Sequence, residues 1–103
     1  YVFVARNYQP PGVKGEIDLI GYDGAALAFV EVRTRTARAG QLGLPEMSVT
    51  REKRGHLVRT AQVFLAARRV TEAAVRFDVL AIENHPGRPP TVRLHKDAFP
   101  AHS

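Results

Sequence analysis

Three acids and a base fall on one face of two consecutive extended segments. Glu16 and Asp18 belong to Gly15-Glu16-Ile17-Asp18-Leu19-Ile20; Glu31 and Arg33 belong to Phe29-Val30-Glu31-Val32-Arg33-Thr34-Arg35. Strand side chains alternate with a period of two, so the residues of each pair point the same way. Acids facing an acid and a base suit a divalent cation beside a phosphodiester. Cleaving that ester needs charge neutralised on the phosphate and a water made nucleophilic, and a bound Mg²⁺ can do both. Mg²⁺ takes oxygen ligands at about 2.0–2.1 Å, commonly one or two carboxylates with waters and phosphate. Glu16, Asp18 and Glu31 on one face therefore suggest a metal ion, or a salt bridge with Arg33. A cross-strand salt bridge on an exposed hairpin is the competing reading of the same residues.

The elements that must position these groups can be read from the same stretch. Glu16 to Tyr22 reads as one strand and Leu27 to Arg35 as the next, joined by a turn at Asp23-Gly24-Ala25-Ala26. A turn pairing Tyr22 with Leu27 sets Asp18 opposite Glu31. A tighter Asp23-Gly24 turn sets Glu16 opposite Glu31 and Asp18 diagonal to it. Both registers keep Glu16, Asp18, Glu31 and Arg33 on one face. Along that face Ile20, Tyr22, Leu27 and Phe29 make the turn end apolar, with the charge gathered at the far end. The other face, Ile17, Leu19, Ala28, Val30 and Val32, is apolar throughout. Both faces are therefore expected to be covered near the turn, with one opening into a polar pocket.

Around this hairpin, Tyr1 to Arg6 reads as a strand and Asn7 to Gly12 as a breaker cluster. Thr36 to Pro45 is irregular. Thr50 is placed to cap a helix over Arg51 to Arg69, with Leu57, Val58, Ala61, Phe64 and Leu65 on one face. Val75 to Glu83 is a strand, His85 to Pro90 breaks it, and Thr91 to Leu94 suits a short edge strand. A strand, a long helix and another strand imply a crossover and a parallel pair. The expectation is an α/β domain: a mixed sheet with a flanking helix, its core over 1–83 and a C-terminal extension over 84–103.

The 103 residues suffice for one modest core. With 45% hydrophobic and 24% charged residues the composition is that of a globular chain. No apolar run approaches the roughly 20 residues of a membrane span. The lack of cysteine excludes disulfides, Cys-ligated zinc and thiol catalysis. With no visible signal peptide, it points to a cytoplasmic setting. A net charge of +5 favours a polyanionic partner, nucleic acid before others.

Arg35 and Arg38 follow the acids directly, where a nucleic-acid backbone would run, and Lys53 and Arg54 form a second basic group on the helix. Asp78, on the strand after the helix, could support Arg33 if that strand lies beside the Glu31 strand, although a structural ion pair is the plainer account. Gln62 and Lys53 could lend polar help from the helix, although solvated surface is the plainer account of both. Few aromatic residues argue against base stacking. His56, His85, His95 and His102 show no ligand spacing.

The blocks Gly15–Ile20, Phe29–Arg35 and Arg76-Phe77-Asp78-Val79 together resemble the YraN-like family of bacterial proteins. That largely uncharacterised family lies within the restriction-endonuclease-like PD-(D/E)XK superfamily, near the Holliday-junction resolvases. The resemblance runs from Tyr1 to about Glu83. It implies a restriction-endonuclease-like fold, Mg²⁺ or Mn²⁺ held by Asp18 and Glu31, Arg33 at the scissile phosphate and DNA as the partner, with Glu16 either starting the strand or lending an outer water contact. Arg33 takes the place of the motif's lysine. The family's upstream helix, which carries a glutamate, has no counterpart here and is expected to precede Tyr1; a chain without it is expected to self-associate.

Arg33 is the departure that matters. A lysine can lose its proton and help activate water, whereas arginine stays charged. It can still clamp a phosphate and stabilise developing charge. Two readings follow: a Mg²⁺- or Mn²⁺-dependent endodeoxyribonuclease, and a nuclease-fold module without chemistry that binds nucleic acid or protein. In the first, Arg33→Lys is expected to raise cleavage.

Overall fold

Five strands and one helix follow in the order β1 (Val2–Tyr8), β2 (Ile17–Asp23), β3 (Ala26–Thr36), α1 (Arg51–Ala67), β4 (Ala74–His85) and β5 (Arg88–Phe99). The structure is a computed structural model and describes residues 1–36 and 49–100. The irregular segment expected over 36–45 therefore lies almost wholly outside the described residues, as does Arg38.

The strands form one mixed sheet in the order β1-β2-β3-β4-β5, with β3 at its centre. β3 and β4 are parallel and the other neighbours antiparallel. Parallel neighbours cannot be joined by a tight turn, and α1 lies in the crossover between them. This is the α/β restriction-endonuclease-like arrangement expected. β2 and β3 pair Tyr22 with Leu27 and Asp23 with Ala26, the first of the two registers, around a Gly24-Ala25 turn. Gly24 takes φ +61° there, a conformation glycine adopts without strain.

The core lies between the sheet and α1. Leu57, Ala61 and Phe64 of the helix are buried against Ile20, Leu27, Phe29, Phe77 and Val79. Rings connect the layers: Phe29 meets Phe64 edge-on at 5.9 Å and stacks on Phe77 at 5.5 Å. Phe77 in turn stacks on Phe99 at 4.9 Å. Contacts of this kind add to area burial and fix how helix and sheet sit together.

Three expectations change. The last strand is twelve residues long rather than a short edge piece. Only Pro86 and Gly87 turn the chain; Pro89 and Pro90 run within β5, where an irregular register between Glu83 and His85 absorbs them. Proline is tolerated because β5 is an edge strand with one side free of ladder bonds. What was expected to be an extension is accordingly part of the sheet as far as Phe99, which is a core residue. Finally, α1 covers one sheet face only. The other carries an apolar groove of about 110 Å³ between Tyr1, Phe3, Leu19, Val30, Leu80 and Leu94, with Phe3 and Leu94 exposed. Among the described residues no helix is long and apolar enough to cross a membrane.

Candidate metal and phosphate site

The acidic end of the hairpin meets the first turns of α1. Thr50 caps the helix with φ −59° and ψ 154°, and its Oγ1 accepts the Lys53 N–H at 3.2 Å. Gly15 leads into β2 at φ +118°, and a Cβ there would sit 3.1 Å from His56 Cβ and 3.2 Å from Thr60 Oγ1. Only glycine allows both that backbone and that approach. The chain thus enters β2 pressed against the helix, which sets Glu16 and Asp18 beside it.

A pocket of about 410 Å³ opens between these elements. Gly15, Glu16, Asp18 and Glu31 line the sheet side; Thr50, Glu52, Lys53, His56 and Leu57 line the helix side. Asp18 Oδ2 accepts the backbone N–H of Val32 at 2.7 Å, which fixes its carboxylate against β3. Glu31 is 5% exposed on the central strand. Burial raises the pKa of its carboxyl, the neighbouring Asp18 raises it further, and Lys53 opposes both. Lys53 Nζ lies 2.8 Å from Glu31 Oε2, yet that oxygen has no aligned hydrogen bond.

These residues fit a hard divalent cation. Carboxylate oxygens are the donors such ions take, and the Lys53 ammonium beside Glu31 Oε2 shows that the spot accepts positive charge. Among the described residues no third acid or histidine joins Asp18 and Glu31 closely enough to complete a protein-only cage. Water and phosphate oxygens would fill the remaining positions, as Mg²⁺ commonly requires.

The other expected residues divide. Arg33 is half-buried on β3 and does not line the pocket. Arg35 pairs with Glu83 at 3.0 Å. Arg54 donates to Val49 O at 2.8 Å and lies over the Phe99 ring at 5.4 Å, so it tethers the C-terminal strand to the helix. Gln62 is exposed and lines an apolar depression with Val58, Leu65 and Val75 instead. Nine residues along the helix from Lys53, it stands roughly 13 Å away.

Asp78 does not support Arg33. β4 does lie beside β3, but Asp78 is level with Val30, whereas Glu31 is level with Val79 and Arg33 with Ala81. In a parallel pair level residues share a face, so Asp78 points away from the acids. It is fully buried among Arg76 Nε at 2.8 Å, Tyr1 Oη at 2.6 Å and the Asp97 N–H at 2.9 Å. Arg76 also reaches Asp23 at 2.9 Å, which Lys96 meets at 2.8 Å. Burial alone would raise the Asp78 pKa; these donors outweigh it and the net shift is downward.

One group at the pocket went unrecognised in the sequence: His56 lines it although it has no ligand spacing. Lys53, named as a basic and helper candidate with surface as the plainer account, contacts Glu31. The i, i+3 separation of Lys53 and His56 puts them on one helix face, and this was the available signal.

A sequence model of a family described as "Uncharacterised protein family UPF0102" matches residues 1–82. A "UPF0102 protein" of Desulfosudis oleivorans is 40% identical over 101 residues, 98% of this chain and 76% of that protein. One from Geotalea daltonii is 42% identical over 85 residues, 82% of this chain and 65% of the relative. Another, from Symbiobacterium thermophilum, is 41% identical over 101 residues, 98% of this chain and 82% of the relative.

Proposed function

The chain belongs to the uncharacterised protein family UPF0102, whose name assigns no activity, and from its site we propose a nuclease-like protein that uses a divalent cation to cut nucleic acid, DNA above all. One observation carries this reading. Asp18 and Glu31, from adjacent strands, line one pocket, and the deeply buried Glu31 carboxylate meets a cation there, the Lys53 ammonium at 2.8 Å from Oε2. Two neighbouring acids, one of them buried, favour a cation between or beside them.

Mg²⁺ or Mn²⁺, when bound, would neutralise the phosphate and activate a water. The chain's own residues orient and hold. Val32 N–H sets the Asp18 carboxylate. The central strand sets Glu31. Glu16, exposed at the rim, is placed to bind an outer water. The +5 charge of the chain attracts a polyanionic backbone irrespective of sequence.

Incubation with branched, single-stranded and duplex DNA in Mg²⁺ and in Mn²⁺, beside Asp18→Asn and Glu31→Gln, tests the reading. Cleavage by the native chain and its loss in both variants are expected. Equal background cleavage by all three proteins overturns it.

Arg33 favours a second reading, a nucleic-acid-binding module of nuclease fold without chemistry, because its guanidinium cannot give up a proton. Binding that weakens steeply with salt, in the absence of any cleavage, is its expected signature.

A further inference from the structure

Lys53 occupies a position where local rules disfavour it. It stands three residues after the Thr50 cap, where glutamate or glutamine would reach back to the cap. The positive end of the helix dipole also disfavours a cation in the first turn. What retains it is tertiary: Nζ lies 2.8 Å from Glu31 Oε2, across the pocket. The partners differ in setting, the Lys53 side chain being 49% exposed and that of Glu31 6%. The carboxylate is fixed in the floor, while the ammonium ends a flexible stem at the mouth. The contact is a salt bridge with one half-exposed, flexible partner.

We infer that Lys53 is a resident counter-ion for Glu31: its ammonium occupies the place a divalent cation takes and, once displaced, turns to an anionic oxygen of the phosphodiester at the pocket mouth. The inference rests on the nuclease-type reading above and deepens it by naming the cation that Arg33 does not bring to the pocket. Glu16, Glu52 and the two ligand acids make the lining acidic. A phosphate entering it meets repulsion unless positive charge stands at the rim, and Lys53 is placed to supply it. The role is electrostatic throughout and asks for no proton transfer.

Mn²⁺ titration followed by the electron paramagnetic resonance of the free ion tests the exchange, using the native chain, Lys53→Gln, Lys53→Met and Glu31→Gln. Glutamine suits this helix position, so folding is not at risk in that variant. Both Lys53 variants are expected to bind Mn²⁺ roughly three- to tenfold more tightly than the native chain, as loss of a half-exposed competitor implies. In parallel, Mn²⁺ is expected to strengthen binding of a fluorescent DNA duplex more in the native chain than in either variant.

Folded Lys53 variants that bind Mn²⁺ no better than the native chain overturn the inference. Equal Mn²⁺ enhancement of duplex binding in native and variant chains does so as well. Loss of Mn²⁺ binding in Glu31→Gln with no gain in the Lys53 variants sinks the inference alone. Unchanged Mn²⁺ binding in Glu31→Gln sinks the metal-site reading together with it.

Discussion

The backbone N–H of Val32 donates to Asp18 Oδ2 at 2.7 Å, so a residue beside one candidate ligand orients the other. Glu31 and Val32 are consecutive on β3, and the two carboxylates are therefore placed by one short piece of backbone. Asp18→Asn keeps an acceptor for Val32 and is expected to change stability by less than about 1 kcal/mol while weakening Mn²⁺ binding. Asp18→Ala leaves the N–H unpaired and is expected to cost about 1–2 kcal/mol. Urea unfolding of the two variants separates the structural role from the ligand role.

Gly15 is the close approach on which the pocket depends. Gly15→Ala combines φ +118° with a Cβ 3.1 Å from His56 Cβ. A loss of about 2–3 kcal/mol is expected, with weakened Mn²⁺ binding, because β2 must retreat from the helix. Gly12 is the control, with φ +78° but open space around it. Gly12→Ala is expected to cost only about 1 kcal/mol and to leave Mn²⁺ binding unchanged.

Glu31→Gln removes a charge that burial and Asp18 both oppose. Despite losing the Lys53 contact, the variant is expected to be at least as stable as the native chain, within about 1 kcal/mol, in metal-free buffer. Added Mn²⁺ is expected to raise the melting temperature of the native chain and not of the variant.

The Asp78 network sets a pH dependence. Its folded pKa lies below the usual 3.8, so its stabilisation is complete above that value and is lost as pH falls through the folded value. Tyr1, with its pKa raised from 10.0 to about 12, acts in the opposite sense, and its contribution fades as pH rises through that window. Asp78→Asn is expected to cost about 2–4 kcal/mol at neutral pH, because it leaves Arg76 without its buried partner. Urea midpoints between pH 2 and 7 check this: the native chain should lose the excess at the acid end and the variant should not.

If Lys53 supplies the working cation, Arg33 matters less than its place in the motif suggests. Arg33→Lys is expected to change cleavage by less than about threefold, and Lys53→Met by tenfold or more, or about 1.4 kcal/mol in the barrier. Rates on one duplex substrate compare them directly.

How much of this the sequence could carry follows from the range of each interaction. The shared face of Glu16, Asp18 and Glu31 is a period-two property of the chain and was legible, as was the Thr50 cap, whereas the hairpin register was left between two turns until the structure paired Tyr22 with Leu27. Asp78 was misplaced because its face depends on the alignment of β4 with β3, and a one-residue difference reverses it. Lys53 was named as a basic and helper candidate but not as a partner of Glu31, because nothing local shows that the first turn of α1 rests on that residue. The one local trace of the contact was a lysine where the capping box calls for glutamate or glutamine. β5 was cut short because proline reads as a breaker until an edge position is known.

The parallel pairing of β3 with β4 has a consequence in time. Glu31 sits on the strand before the crossover and Lys53 inside it, so the β2–β3 hairpin alone brings the acids together without their cation. Parallel strands wait on closure of a long loop, the slow kind of contact to form. On a chain still being synthesised the hairpin can therefore form before α1 and β4 are in place, and a nascent copy gathers Asp18 and Glu31 before the helix side of the pocket closes over them.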